Sequence, residues 1–222
     1  RYLKSELVDK SYRPLPVLRV EIPKDDGGVR LLGIPAVRDR VVQQALLNIL
    51  QPIFEEDFHP SSYGYRPKRS CHQAITKAQL FMRKHEMKHV VDMDLSKCFD
   101  TLDHDLIIKC FRKRVCDGSI LNLLNLFLKS GVMNKEEFEE SELGSPQGGV
   151  ISPLISNVYL NEFDQEMKRR GHRIVRYADD ILIFCYSQSG AENALVKATQ
   201  ILEGCLKLTV NKSKTHIAHA SS

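Results

Sequence analysis

The stretch RIVRYADDILIFCYS, residues 173–187, places two adjacent carboxylates, Asp179 and Asp180, between two short apolar runs. Both runs are rich in β-branched and aromatic residues, which predicts two strands, and the short connection between them predicts a tight hairpin. Aspartate tolerates the left-handed backbone that such turns often need. We therefore expect the hairpin to hold carboxylates at its tip.

A second source of carboxylates lies in residues 89–95, where Asp92 and Asp94 alternate with apolar residues. With the period of two that strands have, both acids fall on one face of a strand. If this strand lies beside the hairpin, Asp94 and Asp179 could bracket two metal ions about 3.5–4 Å apart, as metal-assisted phosphoryl transfer requires. Hard carboxylate oxygens favour Mg²⁺. Taken alone, either acidic group is as typical of an ordinary turn or a solvated strand end as it is of a metal site.

The composition is that of a soluble globular protein with a basic region. Of 222 residues, 42% are apolar and 27% are charged, and the net charge is +4. Residues 66–114 contain 12 Lys and Arg against 6 Asp and Glu, which favours a nucleic-acid partner. No run approaches 18 apolar residues, so we expect no membrane span. The six cysteines include no CxxC pair, which is typical of reduced thiols in an intracellular, cytoplasmic protein.

The order of the predicted elements indicates an α+β fold. Hydrophobic periodicity and capping signals predict an N-terminal hairpin, with its turn at residues 25–28, and an acidic loop or irregular hairpin at residues 134–142. The strands of the N-terminal hairpin are predicted at 17–22 and 29–34, and a further strand is predicted at 208–210. Helices are predicted at about 35–54, 70–86, 152–171 and 191–207, with two more between 105 and 130.

One motif points to a different class of enzyme. The segment from His85 to His89 fits HExxH, the zinc-protease signature, which needs both histidines on one helix. Val90 begins a predicted strand directly after His89, and no third ligand occurs at a suitable spacing. An exposed helix end is the ordinary interpretation, and the metalloprotease remains an alternative.

Seven segments in order give the chain a resemblance to the reverse transcriptases encoded by bacterial group II introns. The resemblance covers nearly the whole sequence, and although YADD alone is weak evidence, the ordered set is specific. The segments are Ile22-Pro23-Lys24 with Arg30 and residues 32–35; residues 39–45; Tyr63-Gly64-Tyr65-Arg66-Pro67; residues 92–100; Ser145-Pro146-Gln147-Gly148-Gly149; residues 177–180; and residues 208–211 with Lys214-Thr215.

The resemblance implies a right-hand polymerase fold. Residues 1–89 correspond to the fingers, with part of the palm boundary, and residues 90–222 correspond to the palm. The family's palm is an antiparallel sheet packed on helices, and the family's α-helical thumb has no counterpart in this sequence.

The resemblance also implies roles for the acids. Asp94, Asp179 and Asp180 are the expected catalytic residues, and they are expected to ligate two Mg²⁺ ions together with the backbone oxygen of Leu95. One ion would lower the pKa of the primer 3′-hydroxyl, and the other would stabilise the triphosphate leaving group.

Further positions are implied to bind the nucleotide, the template and the primer. Phe99 is implied to lie under the incoming sugar, where a ring would clash with a 2′-hydroxyl and favour dNTPs. Contact with template and primer is implied for Gly148, Gly149 and Tyr177. The two glycines would allow the backbone to approach closely. The implied dNTP-binding residues are Lys24, Arg30, Arg40, Phe99, Gln147 and Lys214.

Two functions of different classes follow from the resemblance. The first is RNA-directed DNA polymerisation, with an RNA template, a DNA or RNA primer and dNTPs as partners. The second is an RNA-binding scaffold that holds intron RNA for splicing, the maturase role, without polymerase activity of its own. Reverse transcriptases of retrons and other bacterial elements share these motifs and stay open as alternatives, as does a homodimer. An RNA-dependent RNA polymerase is disfavoured by Phe99.

Overall fold

In a computed structural model, the structure describes residues 2–23, 29–134, 137–139, 143–145 and 148–220, with only the backbone for 30, 134 and 137–139. Helices and strands are interspersed along the chain, as in an α+β fold. They are α1 (Tyr2–Val8), β1 (Val17–Pro23), β2 (Val29–Ile34), α2 (Val37–Glu55), α3 (Cys71–Gln79), β3 (His89–Met93), α4 (His104–Arg112), α5 (Gly118–Leu128), β4 (Val132–Asn134), β5 (Glu137–Glu139), α6 (Ser152–Arg169), β6 (Arg173–Tyr177), β7 (Asp180–Cys185), α7 (Gln188–Thr199) and β8 (His216–His219).

The chain divides into two compact units, and each is built from two separate segments. The first unit comprises residues 1–54 and 99–155, and the second comprises residues 55–98 and 156–222. The assignment of residues 1–89 to fingers and 90–222 to palm stays a prediction.

The second unit is organised by a four-stranded antiparallel sheet in the order β6-β7-β3-β8. The alternation predicted for residues 89–95 is confirmed, since Val91, Met93 and Leu95 are buried whereas Asp92 and Asp94 are only half-buried. The hairpin of β6 and β7 is confirmed as well, with Tyr177 paired to Asp180. Strand β3 pairs with β7, so the acid-bearing strand lies directly beside this hairpin.

Helix α3 covers this sheet and builds its core. Ser70 caps the helix in a capping box with Gln73, as its polar side chain before the periodic run predicts. The apolar face of α3 packs with residues of β3, β6 and β7, because only that face of the helix is free of polar side chains. The core cluster contains Tyr63, Ala74, Ala78, Phe81, Met87, Val90, Val175 and Phe184.

The first unit has a mixed four-stranded sheet in the order β2-β1-β4-β5. The predicted hairpin of β1 and β2 is confirmed, and its turn, residues 25–28, lies outside the described residues. The two helices predicted between 105 and 130 are confirmed as α4 and α5. Each begins after an aspartate, Asp103 or Asp117, whose side chain accepts backbone N–H bonds of the first turn.

Several predicted boundaries and one predicted strand were wrong. The helices predicted at 70–86 and 191–207 end as α-helices at Gln79 and Thr199, and π-helical turns, Leu80–Lys84 and Gln200–Cys205, continue them. Residues 208–210 form no strand and only an isolated bridge, Leu95 to Val210. The strand that completes the sheet is β8, which the sequence did not predict because it is short and mostly exposed.

The HExxH alternative is also wrong. The π-helical turn ends at Lys84 and β3 begins at His89, so His85 and His89 do not share a helix. In the part of the chain that the structure describes, no helix has the length and apolarity needed to cross a membrane.

Candidate active site

The hairpin turn between β6 and β7 presents the two adjacent acids. Ala178 and Asp179 connect the paired residues Tyr177 and Asp180. Ala178 has φ of +58°, so the residue in the left-handed region is the alanine that begins the turn, whereas the sequence predicts an aspartate in that conformation. A positive φ at the first central position is typical of a type II′ turn, which matches the twist of a hairpin. An alanine held there is strained, so its surroundings must hold the turn in place.

A glycine on the loop before α3 packs against this turn. A Cβ added to Gly64 would lie 3.0 Å from the Ala178 Cα and closer still to the Ala178 amide nitrogen. The Gly64 carbonyl accepts a hydrogen bond of 2.9 Å from Nδ2 of Asn157 on α6. The backbone around Gly64 also pairs with β6, since Tyr63 N donates to the Arg176 carbonyl over 2.9 Å. The loop therefore supports the turn from beneath, and only glycine allows that approach.

Substituting Gly64 by alanine is therefore expected to destabilise the protein by about 1–3 kcal/mol, because the new methyl group has no space beside rigid backbone. Urea unfolding measures the loss. The matched control is Gly204→Ala, since a Cβ at Gly204 meets nothing within 4 Å. Equal stability of the two variants would contradict the proposed close approach.

A fully buried ion pair lies under the same turn. Arg176 and Asp164 are both 0% exposed, and Nη2 of the arginine lies 2.7 Å from Oδ2 of the aspartate. The Arg176 Nε lies 2.9 Å from both carboxylate oxygens. The remaining donor, Nη1, reaches the Ala178 carbonyl at 2.7 Å and Oδ1 of Asn157 at 3.0 Å. The guanidinium thus connects the turn that carries Asp179 to two residues of α6.

Asp94 is oriented by the segment that precedes β8. Nδ2 of Asn211 donates to Oδ2 of Asp94 over 2.9 Å, and the Asn211 backbone N–H donates to the Asp94 carbonyl over 2.9 Å. Oγ1 of Thr215 accepts from the Asp94 backbone N–H at 3.3 Å. These bonds fix both the backbone and one carboxylate oxygen of Asp94, while its other oxygen has no partner among the described residues.

The charges of the neighbouring acids act on Asp180, the first residue of β7. Burial raises the pKa of the Asp180 carboxyl, and the negative charges of Asp179, Asp94 and Asp92 raise it further. The ammonium of Lys214 lowers that pKa in part. Like charges crowded in this way disfavour the ionised form unless a cation compensates them.

The acids fit a divalent cation in charge and ligand type. Carboxylate oxygens are the ligands that Mg²⁺ and similar hard cations take, and the mutual repulsion expressed in the pKa of Asp180 is what a cation relieves. Within the described residues, no three His, Cys, Asp or Glu side chains are gathered closely enough to hold a metal ion as they stand.

Asp180→Asn is expected to stabilise the protein at neutral pH in EDTA. The pKa of Asp180 in the folded protein lies above its unfolded value of 3.8. The contribution of this group to the free energy of unfolding is therefore fully present below pH 3.8 and is lost as the pH rises through the folded-state pKa. The variant has no ionisable side chain at this position, so its stability does not fall for this reason as the pH rises. Thermal unfolding between pH 4 and 8, followed by circular dichroism, measures the difference.

Addition of Mg²⁺ is expected to raise the melting temperature of the wild type more than that of Asp180→Asn, because the ion binds the folded acids preferentially. Glu192→Gln is the control, since this α7 carboxylate is not among the charges that act on Asp180. A wild type and an Asp180→Asn variant with the same pH profile and Mg²⁺ response would contradict the electrostatic account.

Comparison with known proteins identifies the family. The family model described as reverse transcriptase (RNA-dependent DNA polymerase) matches residues 22–222. The chain belongs to this family. Protein YkfC of Escherichia coli K12 is 39% identical over 99% of the chain, and group II intron-encoded protein LtrA of Lactococcus lactis is 37% identical over 72%. The predicted resemblance to group II intron reverse transcriptases is therefore confirmed.

The chain spans only part of its relatives. It covers 67% of YkfC and 26% of LtrA. Among solved structures, apo telomerase from Candida tropicalis, truncated from its C-terminal domain, matches 100% of the chain and 55% of its own length, with a TM-score of 0.71. At 13% identity this likeness shows the fold alone, and it confirms the predicted α+β polymerase fold class.

The structure brings together one part of the predicted reverse transcriptase site within the second unit. Asp94, Asp179, Asp180 and Lys214 are linked through the charges that act on Asp180. Leu95 follows Asp94 and is buried, and it bridges to Val210. Tyr177 is 39% exposed at the start of the turn.

The remaining predicted site residues belong to the first unit. Arg40 is exposed on α2, and Phe99 is half-buried, with its carbonyl accepting from Ser145 N over 2.7 Å. Gly148 has φ of +109°, and a Cβ there would lie 2.7 Å from the Gly33 carbonyl oxygen.

Other members of that set are only partly described. The Gly149 carbonyl accepts from Ser152 N over 3.2 Å, next to the start of α6. Lys24, Gln147 and the side chain of Arg30 lie outside the described residues.

The residues that position the acids were not predicted from the sequence. Arg176, Asp164 and Asn157 had no assigned role, and Asn211 was noted only as part of a matching segment. The available signal was a charge at a buried position: Arg176 interrupts the apolar run of β6, and Asp164 follows Phe163 in the apolar middle of α6. A buried charge requires a partner, and two such positions suggest a pair.

Proposed function

We propose that this chain is the catalytic core of an RNA-directed DNA polymerase of the group II intron type. It would join the α-phosphorus of a dNTP to a primer 3′-hydroxyl, copy an RNA template and release pyrophosphate. The observation that carries the proposal is the electrostatic action of Asp94 and Asp179 on Asp180, where β3 pairs with the hairpin, in a chain that matches the reverse transcriptase family.

The residues of this chain present negative oxygens in a fixed arrangement. Asn211 holds one oxygen of Asp94 and leaves the other open, and Arg176 holds the turn that carries Asp179 through the Ala178 carbonyl. Two Mg²⁺ ions, which we propose as the metals, supply Lewis-acid activation of the 3′-hydroxyl and charge compensation at the leaving group. Asp94, Asp179, Asp180 and the Leu95 carbonyl would hold them.

The nucleotide and the nucleic-acid strands would be held by further residues. Cationic side chains suit a triphosphate, with Arg able to contact it in a bidentate manner. Gly148, Gly149 and Tyr177 would contact the template and primer, with the two glycines allowing a close approach of the backbone. The proposed dNTP contacts are Lys24, Arg30, Arg40, Phe99, Gln147 and Lys214.

A maturase role is the second candidate, favoured by the basic segment from Arg66 to Lys88, which has seven Lys and Arg and one acid. LtrA is a group II intron-encoded protein, and a nuclear intron maturase of Arabidopsis thaliana is 27% identical over 64% of this chain. In this role the protein binds intron RNA and assists its splicing. A cytoplasmic location and a homodimer complete the proposal.

Primer extension on an RNA template tests the polymerase function. With Mg²⁺ and dNTPs, the wild type is expected to extend the primer, and Asp94→Ala is expected not to. If neither protein extends the primer while both bind structured RNA, the scaffold function replaces the polymerase function.

Phe99→Ala is expected to admit ribonucleotides, because removal of the ring removes the proposed clash with a 2′-hydroxyl. We expect the ratio of kcat/KM for dNTP over rNTP to fall by at least about tenfold, which corresponds to ~1.4 kcal/mol. Single-nucleotide incorporation kinetics measure the ratio, with Phe99→Tyr as the matched control that keeps a ring. Unchanged sugar selectivity in Phe99→Ala would remove the assignment.

A further inference from the structure

A cavity of about 230 Å³ opens in the second unit, away from the β6–β7 turn that carries Asp179. It lies between the loop that contains His59, the helix α3, and the connection from α6 to β6. Arg173, on its rim, begins β6, whereas Tyr177 ends that strand beside the acids. Four residue steps of a strand separate these positions by about 13 Å, so the cavity is distinct from the acidic site.

The lining of this cavity is strongly basic. Lys77, Lys168 and Arg173 contribute three cations, and no described lining residue is Asp or Glu. Lys168 and Arg173 are exposed, and within the described part of the chain neither has a carboxylate within ion-pair distance. The Lys77 ammonium lies 4.9 Å from the centre of the Phe81 ring. The cations therefore remain available to an anion.

Two histidines add neutral hydrogen-bond donors. Nδ1 of the buried His59 accepts from Ser61 N at 3.1 Å, which places the imidazole proton on Nε2. Nε2 has no partner among the described residues. Burial is the main cause that lowers the pKa of His59 and that of His172. At His59 the charge of Asp164 opposes this effect, and the smaller effects of Lys168, Arg176 and Arg66 lower the pKa. Both rings are therefore neutral at pH 7 and can donate to an oxyanion.

The basic surface continues along α3. A broader groove on this helix shares Lys77 with the cavity and also contains Arg83 and Lys84. None of its described lining residues is acidic. Five cations in two adjoining concavities match a chain of phosphates better than a single phosphate, because a lone anion would occupy only one of them.

We propose that the cavity and the α3 groove bind the phosphate backbone of an RNA strand, at a site separate from the catalytic acids. Lys168 and Arg173 contact phosphate oxygens at the rim, Nε2 of His59 donates from the floor, and Lys77 joins the two concavities. The proposal rests on the maturase role, since Lys77, Arg83 and Lys84 belong to the basic segment that favours it, and it uses none of the residues assigned to polymerisation.

Fluorescence anisotropy with a labelled structured RNA, in the absence of primer and dNTPs, tests this proposal. The double variant Lys168→Gln/Arg173→Gln is expected to bind about tenfold more weakly at 0.1 M salt, with a log–log salt slope reduced by about 1–2. The matched control is Lys109→Gln/Arg112→Gln, which removes the same charge from exposed positions of α4 and is expected to retain most of the affinity.

The outcomes separate the sources of phosphate. Wild-type affinity and slope in the Lys168/Arg173 variant, or equal losses in both double variants, would overturn the site. Titration with inorganic phosphate, followed by ³¹P NMR, forms the second arm. A variant that loses inorganic phosphate but keeps its RNA affinity would show a free-phosphate site and overturn the RNA assignment. Because Asp94→Ala should bind RNA as the wild type does, failure of the polymerase function leaves this test intact.

Discussion

Asp179→Asn is expected to lower the rate of cDNA synthesis at least about 10³-fold, equivalent to ~4 kcal/mol of transition-state stabilisation. The substitution keeps the size of the side chain and its place in the turn but removes a negative oxygen from the group formed with Asp94 and Asp180. A neutral amide oxygen binds a hard divalent cation more weakly than a carboxylate does, because it carries no negative charge. The fold should persist, since the turn is held through the Ala178 carbonyl and not through the Asp179 side chain.

Single-turnover primer extension measures this effect, with binding of the primer and template determined separately. Asp92→Asn is the matched control, because it removes one charge from the same acidic group on β3. We expect the control to lose less than about tenfold, since Asp92 belongs to the strand whereas Asp94 follows its end. A wild-type rate of cDNA synthesis in Asp179→Asn would contradict the proposed catalytic role of Asp179.

Arg176→Met is expected to cost about 3–5 kcal/mol of folding stability, because it leaves Asp164 charged and buried without a partner. Both groups are 0% exposed, so no solvent compensates the loss. The double variant Arg176→Met/Asp164→Leu removes both charges and should recover most of the stability, as apolar replacement of buried pairs often does.

The double variant separates positioning from stability. It still lacks the donor to the Ala178 carbonyl and to Asn157, so we expect the turn to be less well held and kcat to remain reduced about tenfold or more. Urea unfolding and primer extension on the same preparations measure both effects. Glu166→Gln is the control, since its partners Arg169 and Arg170 are exposed and such pairs contribute less than about 1 kcal/mol. Full activity in the double variant would show that the pair acts on stability alone.

Local pattern was enough to predict most elements and the central acids. The alternation in residues 89–95 predicted a strand that leads to Asp94, and the two apolar runs around YADD predicted the hairpin that carries Asp179 and Asp180, because strand periodicity is a local property. The aspartate caps of α4 and α5 are local in the same sense, since each side chain bonds backbone two or three residues ahead.

Elements without a strong local signal escaped prediction. Strand β8 is short and largely exposed, so neither a continuous apolar run nor a clear alternation marks it. The π-helical ends of the two long helices depend on how the last turn packs, since the hydrophobic period of a π-turn is too short to be recognised in sequence.

The sequence alone thus determined the fold class, the strand hairpin and the identity of the acids, because each depends on residues a few positions apart. Only the tertiary structure decided how those acids are held. Asn157 and Gly64 are 93 residues apart, and Asn211 and Asp94 are 117 apart, yet each pair is joined by a hydrogen bond of 2.9 Å. Such partners are selected by the tertiary fold, because a polar group that is wholly or partly removed from water needs a partner wherever the chain brings one, and no spacing rule predicts that choice.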